Sequence, residues 1–452
     1  MYNYNGKYFL NASFRDDASS RLPAANRHQN FWAVGAGWEM TKEDFMRNQH
    51  IFDFVKLKGS VGVLGNQTAS RLDGTPLNYP FYPNLNSGAN AVFGTNVYTA
   101  ADPEYIPNPN LKWETVSAQE IGVELSAFQN RLHFEFNYFN KTTNDLMTYV
   151  DRSALGLKNE LVNGGSLRNW GEEFSAMWSQ NLSRDFSLNV GGNITFLKNK
   201  VLSLSPDLPT GVLSRNFYNN GAAESRTEPG KPIAYFYGYR VAGIFQSYAD
   251  VLKSPVQAAL GAYGPGDFKY QDVNGDKVIT TDDRTMIGNP TPKFTYGGSV
   301  TLNYKGLSLS VDVNGVYGNQ VWRGWGALES PFQRVNYAAD KINRWHGAGT
   351  SNWVPIVSQA NRINYLGSTY SIEDGSYVRI RNLQLAYNFG QAVISKIHAR
   401  NLRAFVNVQN LKTWKNNSGY TPEFGGDGTA FGYDNAGGAI PMITTFGINV
   451  SF

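Results

Sequence analysis

The residues best suited to chemistry lie in one short run, DVNGDKVITTDD, Asp272 to Asp283. Asp272, Asn274 and Asp276 fall at alternate positions, followed by the backbone carbonyl of Val278 and the carboxylate of Asp283. These are the ligand offsets of an EF-hand-type calcium loop, in which a hard cation gathers several oxygens from one turn. Two positions depart from that pattern. The sharp-turn glycine of the sixth offset is Lys277, and the twelfth offset is Asp rather than Glu. A lysine held at positive φ costs about 1 kcal/mol or more, and it sets a cation beside the metal. The competing reading is an Asx-rich surface turn. Ca2+ is the one cofactor this sequence suggests.

Other reactive side chains do not assemble. His28, His50, His133, His346 and His398 sit in separate segments without metal-ligand spacing. Asp16-Asp17, Glu172-Glu173 and Asp282-Asp283 read as solvated loop or rim charges. Neighbours along a strand point to opposite faces, so Glu172 and Glu173 cannot act as an acid and base pair. No Ser or Thr has a GxSxG context and there is no P-loop, so no catalytic residue is assigned and an enzyme is not expected. Aromatic side chains are the remaining candidates. Tyr235, Phe236, Tyr237 and Tyr239 of AYFYGYR, with Trp322 and Trp325, are placed to stack on sugar rings or to pack on a partner protein; packing on one another is the plain alternative.

The elements that carry these residues are strands. In Pro292 to Asn319, Phe294, Tyr296, Val300, Leu302 and Tyr304 share one face, and Thr295, Ser299, Thr301 and Asn303 the other. After a turn at Lys305-Gly306, Leu307, Leu309, Val311, Val313 and Tyr317 alternate with Ser308, Ser310, Asp312 and Asn314. Strict alternation over about ten residues, with aromatics near the ends of the apolar set, is the pattern of a transmembrane β-strand. It recurs from Tyr8, Leu10, Ala12 and Phe14 to Met442, Thr444, Phe446, Ile448, Val450 and Phe452, giving about twelve strands. Tyr377, Arg379 and Arg381 share parity with the apolar Leu383, Leu385 and Tyr387, which places them at an outer rim, where the cost of Arg in lipid falls toward zero.

Composition agrees. Of 452 residues, 14% are aromatic and 46 are glycine, which favours β structure. The mean hydropathy of −0.38 is too polar for a helical membrane protein. A net charge of +4, with scattered Lys and Arg, gives no case for nucleic acid. The absence of cysteine excludes disulfides, thiol catalysis and thiolate metal sites. Short turns alternate with long Gly/Pro-rich connections, as in barrels whose short turns face the periplasm and whose long loops face outside. The longest insertion spans residues 199–291 and holds both the AYFYGYR run and the acidic turn. The N-terminus MYNYNGKYFLNASFRDD has neither a basic nor an apolar signal region and begins directly as a strand, so the chain is expected to lack its natural N-terminal portion.

The segments SFRDDASSRLPAANRHQNFWAVGAGWEM, FVKLKGSVGVLGNQ, NPNLKWETVSAQEIGVEL, RLHFEFNYFNKTTNDLM and AYFYGYRVAGIFQS occur in this order, followed by GDFKYQDVNGDKVITTDDRTMIGNPTPKFTYG, DGSYVRIRNLQLAYNF and TTFGINVSF. In order and spacing they resemble the SusC/RagA-type TonB-dependent outer-membrane transporters over essentially the whole chain. The resemblance implies an all-β fold: an antiparallel transmembrane β-barrel of roughly 22 strands with a plugged lumen. This sequence, residues 1–452, would supply the C-terminal portion. It implies a Gram-negative outer-membrane location, energy from the TonB complex, and a SusD-like surface lipoprotein that captures an oligosaccharide or peptide cargo. The family's plug, TonB box and signal peptide have no counterpart here, so contact with TonB would run through the missing part. About twelve strands taken from a larger barrel leave two open edges, which lipid does not tolerate, so the chain is not expected to transport alone. The terminal Phe452 resembles the signal read by the barrel-assembly machinery. The rival reading is a soluble β-rich glycan-binding module or adhesin with aromatic loops, which has no need of such a terminus.

Overall fold

The computed structural model describes residues 1–71, 74–206, 208, 212–216, 223–325, 337, 339–357, 363–428 and 430–452. Two compact units divide the chain. One comprises Met1–Trp178, Leu197–Gly211 and Glu228–Lys231, the other Ser179–Phe196, Val212–Thr227 and Pro232–Phe452. Among the described residues, no helix is long and apolar enough to cross a membrane.

In the first unit the strands Tyr2–Tyr4, Tyr8–Ala18, His28–Glu39, Phe52–Asn66, Glu114–Ala127, Leu132–Asn144 and Gly165–Asn181, of which the last residues from Ser179 on count with the second unit, pair antiparallel, each with the next. In the second the run is Phe186–Leu204, of which Phe186–Phe196 count with this unit, then Phe294–Tyr304, Leu307–Tyr317, Tyr377–Asn388, Asn401–Lys415 and Ile443–Ser451. Register aligns like with like. Leu188, Leu302, Leu309, Leu385, Val406 and Phe446 form one row across six strands of the second unit. The adjacent row is Asn189, Thr301, Ser310, Gln384, Asn407 and Thr445. In the first unit, Tyr8, Trp38, Leu57, Val123, Phe136 and Phe174 line up the same way. A slip of one residue would exchange the two faces, so the hydrophobic pattern holds the register.

The apolar rows are not a core. Phe446 is 80% exposed and Ile121 62%. Aromatic pairs close the apolar band at both ends: Phe186 with Tyr304 at 6.2 Å, and Phe294 with Tyr317 at 4.9 Å. From Phe294 to Tyr304 the strand covers about 33 Å at roughly 3.3 Å per residue. A tilt of about 45° reduces this to roughly 23 Å, close to the height of the apolar band of outer-membrane strands.

Connections alternate in length. The turn at Lys305-Gly306 has φ of 46° and 86°, and a Cβ on Gly306 would lie 2.6 Å from the Asn388 carbonyl oxygen, so glycine is required there. The long connections carry structure of their own. The long connection that follows the strand Phe52–Asn66 contains the hairpin Leu85–Phe93 with Asn96–Pro103. The strand Phe186–Leu204 runs past residue 199, so the first residues assigned to the long insertion are strand. In the second unit Tyr239, Ile244, Phe268, Tyr270, Ile279, Ile363 and Tyr370 build a buried core from the two longest loops. Gln257 holds it through Phe268 O at 2.9 Å and Tyr270 N at 2.7 Å.

One expectation is corrected by a bulge. Asp312 pairs with Asn382, but Val313 pairs with Ile380, leaving Arg381 without a partner in that ladder. The shift recurs against the next strand, between Ile380 opposite Lys412 and Asn382 opposite Gln409. An extra residue reverses the alternation beyond it. Val378 and Ile380 therefore continue the apolar face, while Arg379 lies opposite Asn314 and Thr413 on the polar face. The lipid-side parity assigned to Tyr377, Arg379 and Arg381 holds only for an unbulged strand.

Candidate functional site

The acidic turn is held by its own backbone. Asp272 accepts from Gly275 N at 2.7 Å and from Lys277 N at 2.8 Å. Asn274 accepts from Asp276 N at 3.1 Å, and Asp276 from Val278 N at 2.8 Å. Lys277 takes φ of 67°, the conformation the pattern reserves for glycine. Asp272, Asn274, Asp276 and Val278 thus share one turn. Asp283 is fully buried, and its two oxygens accept from Val273 N and Thr280 N, both at 2.8 Å, in a capping box. Among the described residues, no three His, Asp or Glu side chains converge closely enough to hold a metal.

The aromatic candidates divide by burial. Phe236 is 0% exposed, and Tyr235, Tyr239 and Trp322 are buried as well. Phe236 packs edge-on against Trp322 at 5.7 Å and Tyr433 at 5.4 Å. Burial pushes the Tyr239 hydroxyl up to about 12, with the nearby charge of Asp283 adding to it. These four rings form loop core and present no stacking face, which corrects their assignment to cargo or partner. Tyr237 is half-buried beneath the guanidiniums of Arg226 and Arg284, at 4.7 and 4.4 Å from its centroid. Trp325 is half-buried and donates to Asp434 Oδ2 at 2.8 Å. Phe452 follows the last strand and is 78% exposed.

Histidines remain apart: His28 meets Asp16 at 3.2 Å, and His133 meets Ser126 across a strand pair at 2.8 Å. Glu172 and Glu173 fall opposite Tyr138 and Asn137, on the two faces of the sheet.

Sequence reasoning missed two constellations on the polar faces. In the first unit Lys58 Nζ donates to Glu124 at 2.7 Å and to Glu135 at 2.6 Å. Its stem crosses Gly122, where a Cβ would lie 3.0 Å from Lys58 Cε. In the second unit a cavity of about 540 Å³ is lined by Asn314, Arg379, Arg381, Asn382, Gln409, Asn410, Glu423 and Ile440. Arg379, 5% exposed, donates to Thr413 Oγ1 at 2.8 Å and to Glu423 Oε2 at 3.0 Å, and Tyr377 OH donates to Glu423 Oε1 at 2.8 Å. The polar period was visible in the sequence, but neither cross-strand partner was.

Antiparallel neighbours in chain order, apolar rows facing outward between aromatic girdles, polar rows behind them and long loops at alternate connections define a transmembrane β-barrel of the outer membrane. The family described as TonB dependent receptor-like, beta-barrel, matches residues 1–411, and the chain belongs to it. TonB-dependent receptor P26 of Formosa agariphila is 30% identical over 469 residues, covering 100% of this chain and 45% of that protein. TonB-dependent receptor SusC of Bacteroides thetaiotaomicron is 25% identical over 392 residues, covering 86% of this chain and 37% of that protein. The fold is shared with the RagAB peptide transporter at a TM-score of 0.79 and 21% identity, over 99% of this chain and 46% of that one. The barrel is thus of the SusC/RagA type. The chain spans less than half the length of the curated relatives it matches.

Proposed function

We propose that this chain forms barrel wall in a TonB-dependent importer that draws oligosaccharides or peptides across the outer membrane, in partnership with a SusD-like surface lipoprotein. The observation that carries the reading is the register itself: apolar residues face outward in continuous rows, and the opposite face is lined by Asn, Thr, Ser and Gln. Such a wall suits a water-filled, hydrogen-bonding lumen within lipid. The likeness to SusC and the fold shared with the RagAB peptide transporter support both the TonB coupling and the lipoprotein partner. The exposed apolar rows argue against a soluble binding module.

Deletion of the gene in its host, with uptake of fluorescent oligosaccharides and oligopeptides followed with and without a protonophore, tests the reading. Loss of energy-dependent uptake of one cargo class, restored by the gene, is expected. Unchanged uptake of both classes overturns it. Affinity purification of the tagged protein in detergent is expected to bring the lipoprotein with it.

A further inference from the structure

We infer that the cavity around Arg381 is a cargo subsite for a carboxylate, so that the molecule moved past this wall carries an acidic group. The inference rests on the importer reading for the cargo's route.

The first ground is the bulge. A strand that kept its alternation would turn Arg379 and Arg381 toward lipid. The extra residue instead brings both into the lining of one polar cavity, with Asn314, Asn382 and Gln409. Bulges sacrifice ladder hydrogen bonds and are used to re-aim side chains beside functional sites.

The second ground is charge. Two guanidiniums and one carboxylate line the cavity. Arg379 and Tyr377 take up both oxygens of Glu423. Arg381 is exposed, and among the described residues it has neither a hydrogen bond nor an ion pair. Asp312, the carboxylate one row further along, is bonded to Asn382 at 3.3 Å and does not line the cavity. A free guanidinium offers a planar fork that matches a carboxylate in a bidentate pair.

The third ground is the surrounding wall. Asn382 and Gln409 line it with Arg381, and among the described residues the buried side-chain oxygen of Asn314 has no hydrogen-bond partner. These groups suit the hydroxyls or amides of an oligomer whose acidic group sits on Arg381. Glu423 and Ile440, from the two ends of the connection 416–442, complete the lining. A uronic-acid oligosaccharide and a peptide with a free C-terminus share the required chemistry.

Calorimetric titration of the detergent-solubilised protein tests the site. The probes are trigalacturonic acid against its neutral methyl ester, and an acetylated tetra-alanine with a free C-terminus against its amide. An acidic form is expected to bind roughly 10- to 100-fold more tightly than its neutral partner, the gap that a charged hydrogen bond supports. Whichever pair carries the gap names the cargo source. Arg381→Gln is expected to erase the gap without weakening the neutral probe, and Arg381→Lys to restore part of it. Heat-modifiable mobility on gels verifies that both variants are folded. Equal binding of acidic and neutral forms, no binding of either acid, or an unchanged gap in Arg381→Gln overturns the inference. Failure of the importer reading is seen separately, as unchanged uptake in the deletion strain while binding in detergent persists.

Discussion

Arg379 reaches Glu423 across the polar face at 3.0 Å, and that contact ties the last long connection to the strand Tyr377–Asn388. The Arg379 side chain is 6% exposed and that of Glu423 40%, so the pair is half-sheltered. Tyr377 shares the same carboxylate. Among the described residues, removing Glu423 leaves the nearly buried guanidinium with Thr413 as its hydrogen-bond partner and the Tyr377 ring beside it. Glu423→Gln is expected to loosen the connection by roughly 2 kcal/mol. The measurement is the rate of limited proteolysis within residues 416–442, which should rise in the variant while the strands stay protected.

The two faces of the sheet should respond oppositely to charge. Val311 lies mid-row among Val190, Val300, Leu383 and Val408, whereas Ser310 lies among Thr301, Gln384 and Asn407. Val311→Arg is expected to cost about 2–4 kcal/mol on folding into lipid vesicles, and Ser310→Arg far less. A larger penalty for Ser310→Arg would mean that the faces are assigned the wrong way round, and equal penalties that neither face alone meets lipid.

Acid stability should depend on Glu43. Its carboxylate accepts from Tyr8 OH at 2.6 Å, Lys7 Nζ at 3.1 Å and Trp38 Nε1 at 3.1 Å. The Tyr8 hydroxyl, then the Lys7 and Trp38 donors, hold its pKa below the usual carboxylate value. A depressed folded-state pKa contributes stability that is complete above the unfolded value, about 4.3, and is lost as pH falls through the folded one. The thermal stability of the wild type is therefore expected to fall from about pH 5 downward. Glu43→Gln should flatten that part of the profile.

The loop core predicts a structural rather than a ligand-binding phenotype for its aromatics. Phe236→Ala empties a site closed by Trp322 and Tyr433 and should destabilise the loops by about 3–5 kcal/mol. Hydrogen exchange at Tyr235–Gly238 and its pairing partners reads this directly. A variant that lost cargo binding while keeping wild-type exchange would return Phe236 to the cargo surface.

Metal removal addresses the acidic turn. Because its carboxylates already accept backbone N–H groups, the turn is formed by the chain itself. Chelation with EDTA is expected to leave loop unfolding unchanged. A rise in melting temperature at millimolar Ca2+ would show instead that the oxygens of Asp272, Asn274 and Asp276 rearrange around the ion.

A period of two is a local property, so the alternation of Leu307, Leu309 and Val311 with Ser308, Ser310 and Asp312 made strands, faces and membrane setting legible in the chain by itself. Lys305-Gly306 was legible for the same reason, since a tight turn is decided by the φ its own residues tolerate. The fate of Arg379 and Arg381 was not. A bulge exists only relative to the ladders on either side, and nothing within YVRIRNLQL counts residues against Asp312 and Val313. The burial of Phe236 and Trp322 likewise follows from loops far apart in sequence meeting one another. Tertiary structure alone decided which rings were core and, among the described residues, which guanidinium met a carboxylate and which did not.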